Sequence, residues 1–304
     1  MNRLYAFLYD DFLSSPSFQR IIANVETRCS VLGIQGRVSR LAIFRNAKEL
    51  VENLVKDGAQ TIVVVGNDKT LEKVMWFLPD LPVTIGYIPV SEPCGIGNLL
   101  GIPPGEAACD VLAARRMETL DIGRIDSRYF LTEVLIKDTK ARVDVDGRFK
   151  ISASHAGTIS VRNLGSVRSM TALKSGQQAN ATANAKDGWL ELAIQPIQPG
   201  ERKRRFAFLE KYAAREQTTL HLREGIIESR EPVDVFVDGH QLNGFSFKVG
   251  VLPNKLRIIT GRNKRIVPQN SEPLPVTPTR GIVSATQDVL GKVTSWWTRQ
   301  RMYF

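Results

Sequence analysis

Five consecutive β-branched residues, TIVVV at positions 61–65, constrain this chain more than any other feature. A strand sends alternate side chains to opposite faces, so a run with no polar member must be buried on both. Parallel sheets covered by helices on each side provide that environment. The flanking pattern agrees with this reading. Residues 4–9, 38–44 and 83–88 are further short apolar runs, and amphipathic stretches separate them. Ser15-Pro16 predicts the start of a helix carrying Phe18, Ile21, Ile22, Val25 and Cys29, closed by Gly33. Leu50, Val51, Leu54 and Val55 mark a second helix ending at Gly58, and Leu71, Val74, Met75 and Leu78 mark a third. Residues 107–117 predict a fourth, before the segment DIGRIDSRYFL. The first 130 residues therefore read as an α/β domain with a mainly parallel, Rossmann-like sheet.

Beyond residue 130 the period changes. RVDVDGRFKIS, TISVRNLGS, DGWLELAIQP, VDVFVDGHQLNG, FSFKVG and KLRIITG alternate and are separated by turn dipeptides, which predicts an antiparallel β-sandwich over 131–260. Residues 172–187 are poor in large apolar groups and read as a loop, and 201–217 suit a surface helix. Four prolines within 268–278 predict a stiff linker. It leads to a basic amphipathic helix with Trp296 and Trp297, suited either to a membrane interface or to packing on the first domain. The third region is thus 261–304.

Composition limits what such a chain can do. The net charge is +10, but nine Lys/Arg against two acids lie in the last fifty residues, so the body is nearly neutral. A basic face interleaved with aromatics is not evident there, and no nucleic-acid partner is expected. Cys29, Cys94 and Cys109 form no close sequence pair, and no signal peptide is recognisable. A reducing, cytoplasmic setting is the expectation. His155, His221 and His240 are too far apart for a local zinc signature.

Ligands of open α/β sheets bind beyond the carboxyl ends of the strands, which directs attention to two loops. Gly66-Asn67-Asp68-Lys69-Thr70 follows the TIVVV strand, and IPVSEPCGIGNLLGIP at 88–103 follows the next one. Gly66 permits close backbone approach, Asp68 can meet a metal or a hydroxyl, and Thr70 can cap a helix or contact phosphate. The plain alternative is a turn with a capping residue. Asp121, Asp187 and Asp238 each stand in segments with nearby glycines, where aspartate also serves turns.

Taken in order, VVGNDKT, the 88–103 segment, LDIGRIDSRYFL, DGWLELAI and VDVFVDGHQLNG resemble the diacylglycerol kinase catalytic family, which includes bacterial lipid kinases and sphingosine kinases. Its members carry GGDGT after a central strand, then P-x-G-T-x-N-D-F-A-x-x-L-G-I-P, D-x-G leading to Y-F, N-D-G-x-L-D and a D-G-E hairpin. The resemblance covers roughly residues 3–260. It implies a two-domain kinase that uses ATP and Mg²⁺ to phosphorylate a lipid hydroxyl, peripheral at the inner membrane surface, and it leaves room for a homodimer. By the same resemblance Asp68, Asp121 and Asp238 are the catalytic candidates, Asp238 as general base. Gly66, Asn67, Lys69, Thr70, Gly95, Gly97 and Asn98 would contact the nucleotide, and Asp187 and Asp68 a metal.

The chain also departs from that pattern. Asn67 and Lys69 replace two glycines of GGDGT, Asp10-Asp11-Phe12-Leu13-Ser14 replaces N-P-x-S-G, Leu99 replaces the acid of T-x-N-D, and His240 replaces the glutamate of D-G-E. Asn67 can adopt positive φ and keep the turn, and Lys69 can either meet phosphate as a point charge or fill the nucleotide site. Asp10 and Asp11 place negative charge where the family offers neutral donors. Two functions therefore stay open: a lipid kinase, or a catalytically silent nucleotide- or lipid-binding sensor or scaffold of the same fold. An NAD kinase shares the strand and GGDGT logic but not the later segment order.

Overall fold

A computed structural model describes residues 4–41, 47–136, 141–152, 157–164, 184–196 and 218–264. The predicted helix at 201–217 and the amphipathic helix beyond the proline-rich linker lie outside these residues, as does most of the predicted 172–187 loop. The chain divides into two compact units. One comprises Met1–Glu133, Asn163–Trp189 and Val251–Ser271, and the other Val134–Arg162, Leu190–Gly250 and Glu272–Phe304. Each is therefore built from segments distant in sequence.

The first unit opens with β1 (Tyr5–Asp10), a 3-10 turn (Asp11–Ser14) and a second (Pro16–Phe18) that runs into α1 (Gln19–Val31). Ser15 starts the second turn rather than α1 itself, and its side chain makes no capping bond. Next come β2 (Gly36–Leu41), α2 (Ala47–Lys56), β3 (Thr61–Gly66) and α3 (Asp68–Met75). They are followed by β4 (Thr84–Pro89), α4 (Gly95–Leu99) and α5 (Ala107–Ala114). α5 ends three residues before the predicted Met117, because Arg115 turns left-handed at φ 49° and Met117 opens β5 (Met117–Ile125). β6 (Arg128–Phe130) folds back on β5 through a tight turn.

The strands lie in the order β2-β1-β3-β4 and are all parallel. Every residue of β3 is buried, as TIVVV requires, and all of β4 is as well. Leu71, Val74 and Met75 of α3, Val51 and Leu54 of α2, and Ala108, Cys109 and Leu112 of α5 belong to the same core. The spacing that predicted these helices is the stripe that they bury.

The second unit contains strands only among its described residues: β7 (Glu133–Ile136), β8 (Arg142–Val145), β9 (Phe149–Ser152), β10 (Gly157–Arg162), β11 (Leu190–Pro196), β12 (Thr218–Leu222) and β13 (Glu224–Val237). β8 with β9, β10 with β11, β11 with β12, and β13 with β7 and β8 pair antiparallel. Alternation along β13 buries Ile227, Val233, Val235 and Val237, with a bulge between Glu228 and Val233. FSFKVG and KLRIITG, predicted as separate segments, form one twenty-residue strand, β14 (His240–Ile259). Residues up to Gly250 belong to the second unit, and Val251 onward to the first, where Ile258 pairs parallel with Ile85 of β4. The architecture is thus an α/β unit with a parallel sheet plus an antiparallel all-β unit.

Candidate active site at the carboxyl ends of the parallel strands

The loop after β3 is held by its own side chains. Asn67 is extended (φ −130°), not left-handed, and acts as the N-cap of α3. Its Oδ1 accepts from the Thr70 N–H at 3.2 Å, while Thr70 Oγ1 accepts from the Asn67 N–H at 3.2 Å. This reciprocal arrangement satisfies two donors that a helix start otherwise leaves open. Thr70 Oγ1 donates in turn to Asp10 Oδ2 at 2.6 Å. The aspartate that the sequence placed toward phosphate thus anchors the loop from the end of β1. Gly66 is required here, because a Cβ at this position would overlap the Thr70 side chain.

Asp68 is buried, 2% exposed, at the first turn of α3. Its Oδ1 accepts from the Tyr87 hydroxyl at 3.1 Å and its Oδ2 from the Ile96 N–H at 3.0 Å. The Gly95 and Gly97 amides beside it favour its charged form. Its own backbone N–H donates to the Pro93 carbonyl at 2.8 Å, and Asn67 Nδ2 donates to the Glu92 carbonyl at 3.4 Å. The two loops singled out in the sequence are therefore joined directly. Burial pushes the Asp68 carboxyl up to about 6, and the hydrogen bonds offset that rise only in part. The same environment raises the Tyr87 hydroxyl far above its ordinary range.

Tyr87 was not among the sequence candidates. A tyrosine inside a fully buried strand needs a partner for its hydroxyl, and that requirement was the available signal. Of the remaining residues in these loops, Lys69 and Asn98 are exposed, whereas Gly95 and Gly97 are buried. Gly97 lies close against the Ile102 carbonyl and Pro89, which leaves little space for a side chain.

Asp121 occupies a different setting. It is 1% exposed in the interior of β5. Its Oδ2 accepts from the Gly188 N–H at 2.7 Å and its Oδ1 from the Asn254 N–H at 2.8 Å. Its backbone N–H donates to Ala185 and its carbonyl accepts from Asn163 Nδ2 at 3.0 Å. One aspartate thus ties three chain segments. Two residues on, Gly123 faces Phe130 across the β5–β6 hairpin, and any Cβ there would enter the ring. That contact gives the D-x-G and Y-F landmarks a packing reason, and Tyr129 adds a hydroxyl bond to Asp80 at 2.5 Å.

Asp187 Oδ1 accepts from the Trp189 N–H at 2.9 Å. Asp238 belongs to the second unit, in the two-residue turn between β13 and β14. Asp238 and Gly239 both have positive φ, 45° and 82°, as a type I′ hairpin demands. Its side chain is nonetheless buried, 3% exposed. The structure therefore joins Asp68, Asn67, Thr70, Gly95 and Gly97 in one neighbourhood, sets Asp121 in another with the segment carrying Asp187, and sets Asp238 in the second unit.

Among the described residues no three His, Cys, Asp or Glu side chains converge on a common point that could hold a metal. A cation at Asp68 would have to displace Tyr87 or the α4 amides, so these residues do not fit as a cage for Mg²⁺. None of the described helices is long and apolar enough to cross a membrane.

No protein-family model matches the sequence, and no curated protein matches it significantly. Solved structures do match. A diacylglycerol kinase from Bacillus anthracis str. Sterne superposes with a TM-score of 0.64 at 13% identity, covering 86% of this chain and 98% of that one. Two further structures, provisionally named as diacylglycerol kinases of the same strain, match with TM-scores of 0.64 at 13% and 12% identity, each covering 86% of this chain and 97% of theirs. On this evidence the chain has the two-domain fold of the diacylglycerol kinase-like proteins.

Proposed function

We propose that this chain is a lipid-kinase-like phosphotransferase, with ATP as donor and a hydroxyl of diacylglycerol or a related membrane lipid as acceptor. The observation that supports it most is the fold, matched over 86% of the chain, with the Gly66-Asn67-Asp68 loop at the carboxyl end of its central strand. Phosphoryl transfer asks a protein mainly for positioning and charge neutralisation. In this reading the exposed Lys69 meets phosphate as a point charge, Asn67 and Asn98 face the nucleotide beside it, and the buried Gly66, Thr70, Gly95 and Gly97 shape the two loops from beneath. Asp68 acts as a positioning residue that holds α4, and Asp238 takes the proton of the acceptor hydroxyl. Asp121 and Asp187 hold the backbone that frames the first unit. No step is assigned to a protein-held metal.

A second reading, a nucleotide- or lipid-binding protein without transfer, is favoured by one specific observation. The Ile96 N–H in the first turn of α4 is taken up by Asp68 rather than left for a ligand. Labelled Mg-ATP offered with mixed vesicles containing diacylglycerol separates the two. The kinase reading predicts labelled lipid, and a loss of at least about 100-fold in Asp238→Asn, the scale of a missing general base. Nucleotide binding with no labelled lipid would leave the second reading in its place.

A further inference from the structure

Helices α1 and α5 bring together two cysteines that lie 80 positions apart in sequence, with the Sγ atoms of Cys29 and Cys109 separated by 3.4 Å. Both thiols are reduced and buried, Cys29 at 4% and Cys109 at 0% exposure. The adjoining residues pin the helices at this register: Arg28 pairs with Asp110 at 2.5 Å on the outer side. Beneath it, Cys109 Sγ donates to the Val25 carbonyl at 3.6 Å. A hydrophobic contact needs no particular pairing of sulfurs, whereas two thiols in van der Waals contact can share a hydrogen and react with each other. The third cysteine is placed otherwise, its Sγ donating to Glu92 Oε1 at 3.1 Å.

We propose that Cys29 and Cys109 form a redox-modification site, a dithiol that closes into an intramolecular disulfide when the protein meets a peroxide. The Cys29 thiolate attacks one peroxide oxygen, the O–O bond breaks, and hydroxide leaves, so that Cys29 becomes a sulfenic acid. Cys109 sulfur then attacks the Cys29 sulfur, the S–OH bond breaks, and water leaves with the Cys109 proton. Two thiols are oxidised, and one peroxide is reduced to two waters. The Cys29 thiol donates toward Cys109 Sγ at 3.4 Å while Cys109 donates onward to the Val25 carbonyl, and the contact with Cys109 holds the Cys29 thiol below its ordinary value. A disulfide is about 2.05 Å long, so the sulfurs, 3.4 Å apart, must approach by roughly 1.4 Å for the bond to form. The closed ring spans residues 29–109 and so encloses the Asp68 loop and α4.

The test uses the full chain, treated with hydrogen peroxide, quenched, denatured, alkylated with iodoacetamide and digested for mass spectrometry. The expected result is a linked pair of peptides carrying Cys29 and Cys109, two hydrogens lighter than their sum, with only Cys94 alkylated and all three thiols recovered after phosphine reduction. Three alkylated cysteines, irreversible oxidation of Cys29 without a link, or a link to Cys94 would each overturn the proposal. A second readout is thermal unfolding. Oxidation raises the midpoint by about 5–10 °C in the wild-type protein and in Cys94→Ser, and by nothing in Cys29→Ser. An equal rise in Cys29→Ser overturns it as well, and if that variant does not fold, peptide mapping of the wild-type chain decides alone.

Discussion

Asp68 and Asp121 are both buried carboxylates of the first unit, both accept backbone N–H groups, and both stand in glycine-bearing segments that the sequence singled out. They differ in what they hold. Asp68 closes a compact neighbourhood at the carboxyl end of β3, where its donors come from α4 and Tyr87. Asp121 sits within a strand and joins β5 to the 184–188 segment and to Asn254, 133 positions away. The difference shows that two aspartates in similar glycine-bearing segments can hold quite different parts of one unit. In the proposed reading, position relative to the strand ends sets Asp68, beside the two candidate ligand loops, apart from Asp121, within a strand.

Four substitutions test this contrast. The largest effect is expected for Asp121→Ala, which leaves the Gly188 and Asn254 N–H groups buried without acceptors. The cost is about 3–5 kcal/mol in denaturant unfolding. A loss below about 1 kcal/mol would remove its status as a tie.

Asp68 supplies the next test, through pH. Its carboxyl rises from 3.8 in the unfolded chain to about 6 in the folded one. A raised carboxyl contributes stability that is fully present below the unfolded value and lost as pH rises through the folded value. Compared with Asp68→Asn, the wild-type protein should therefore lose roughly 2 kcal/mol between pH 4 and 7. Parallel stability profiles for the two proteins would place the carboxylate in water instead.

Smaller effects follow from the packing of each neighbourhood. Gly123→Ala forces the Phe130 ring aside and should cost about 1–3 kcal/mol. Thr70→Val removes the hydroxyl shared by Asn67 and Asp10 and should cost about 1 kcal/mol, the scale of a lost cap. If Thr70→Val proved the more damaging of the two, the loop after β3 would be the more tightly locked region, and the contrast would reverse.

Much of this was legible in the chain itself. TIVVV announced the central strand, because an unbroken β-branched run tolerates only burial on both faces. The Asp238-Gly239 turn followed from the dipeptide, and the apolar stripe of α3 from its spacing. What escaped notice depends on distance along the chain. Nothing near Asp68 reveals that its donors are Tyr87 and Ile96, 19 and 28 positions later. The negative charge of Asp10, expected to face phosphate, is directed instead at Thr70 sixty residues on. Cysteine spacing likewise gave no sign that α1 and α5 would set Cys29 against Cys109. The strand KLRIITG was anticipated, but not that Asn254 just before it, at φ 54°, would turn its N–H to Asp121.

The central claim, that the loops beyond β3 and β4 receive a nucleotide, is tested most directly by thermal unfolding of the full chain in millimolar Mg-ATP. A ligand bound only by the folded protein must stabilise it, by about 2.7 kcal/mol when its concentration is a hundred times its Kd. The account predicts a clear rise of the midpoint that is diminished in Lys69→Ala. An unchanged midpoint with ATP would contradict it.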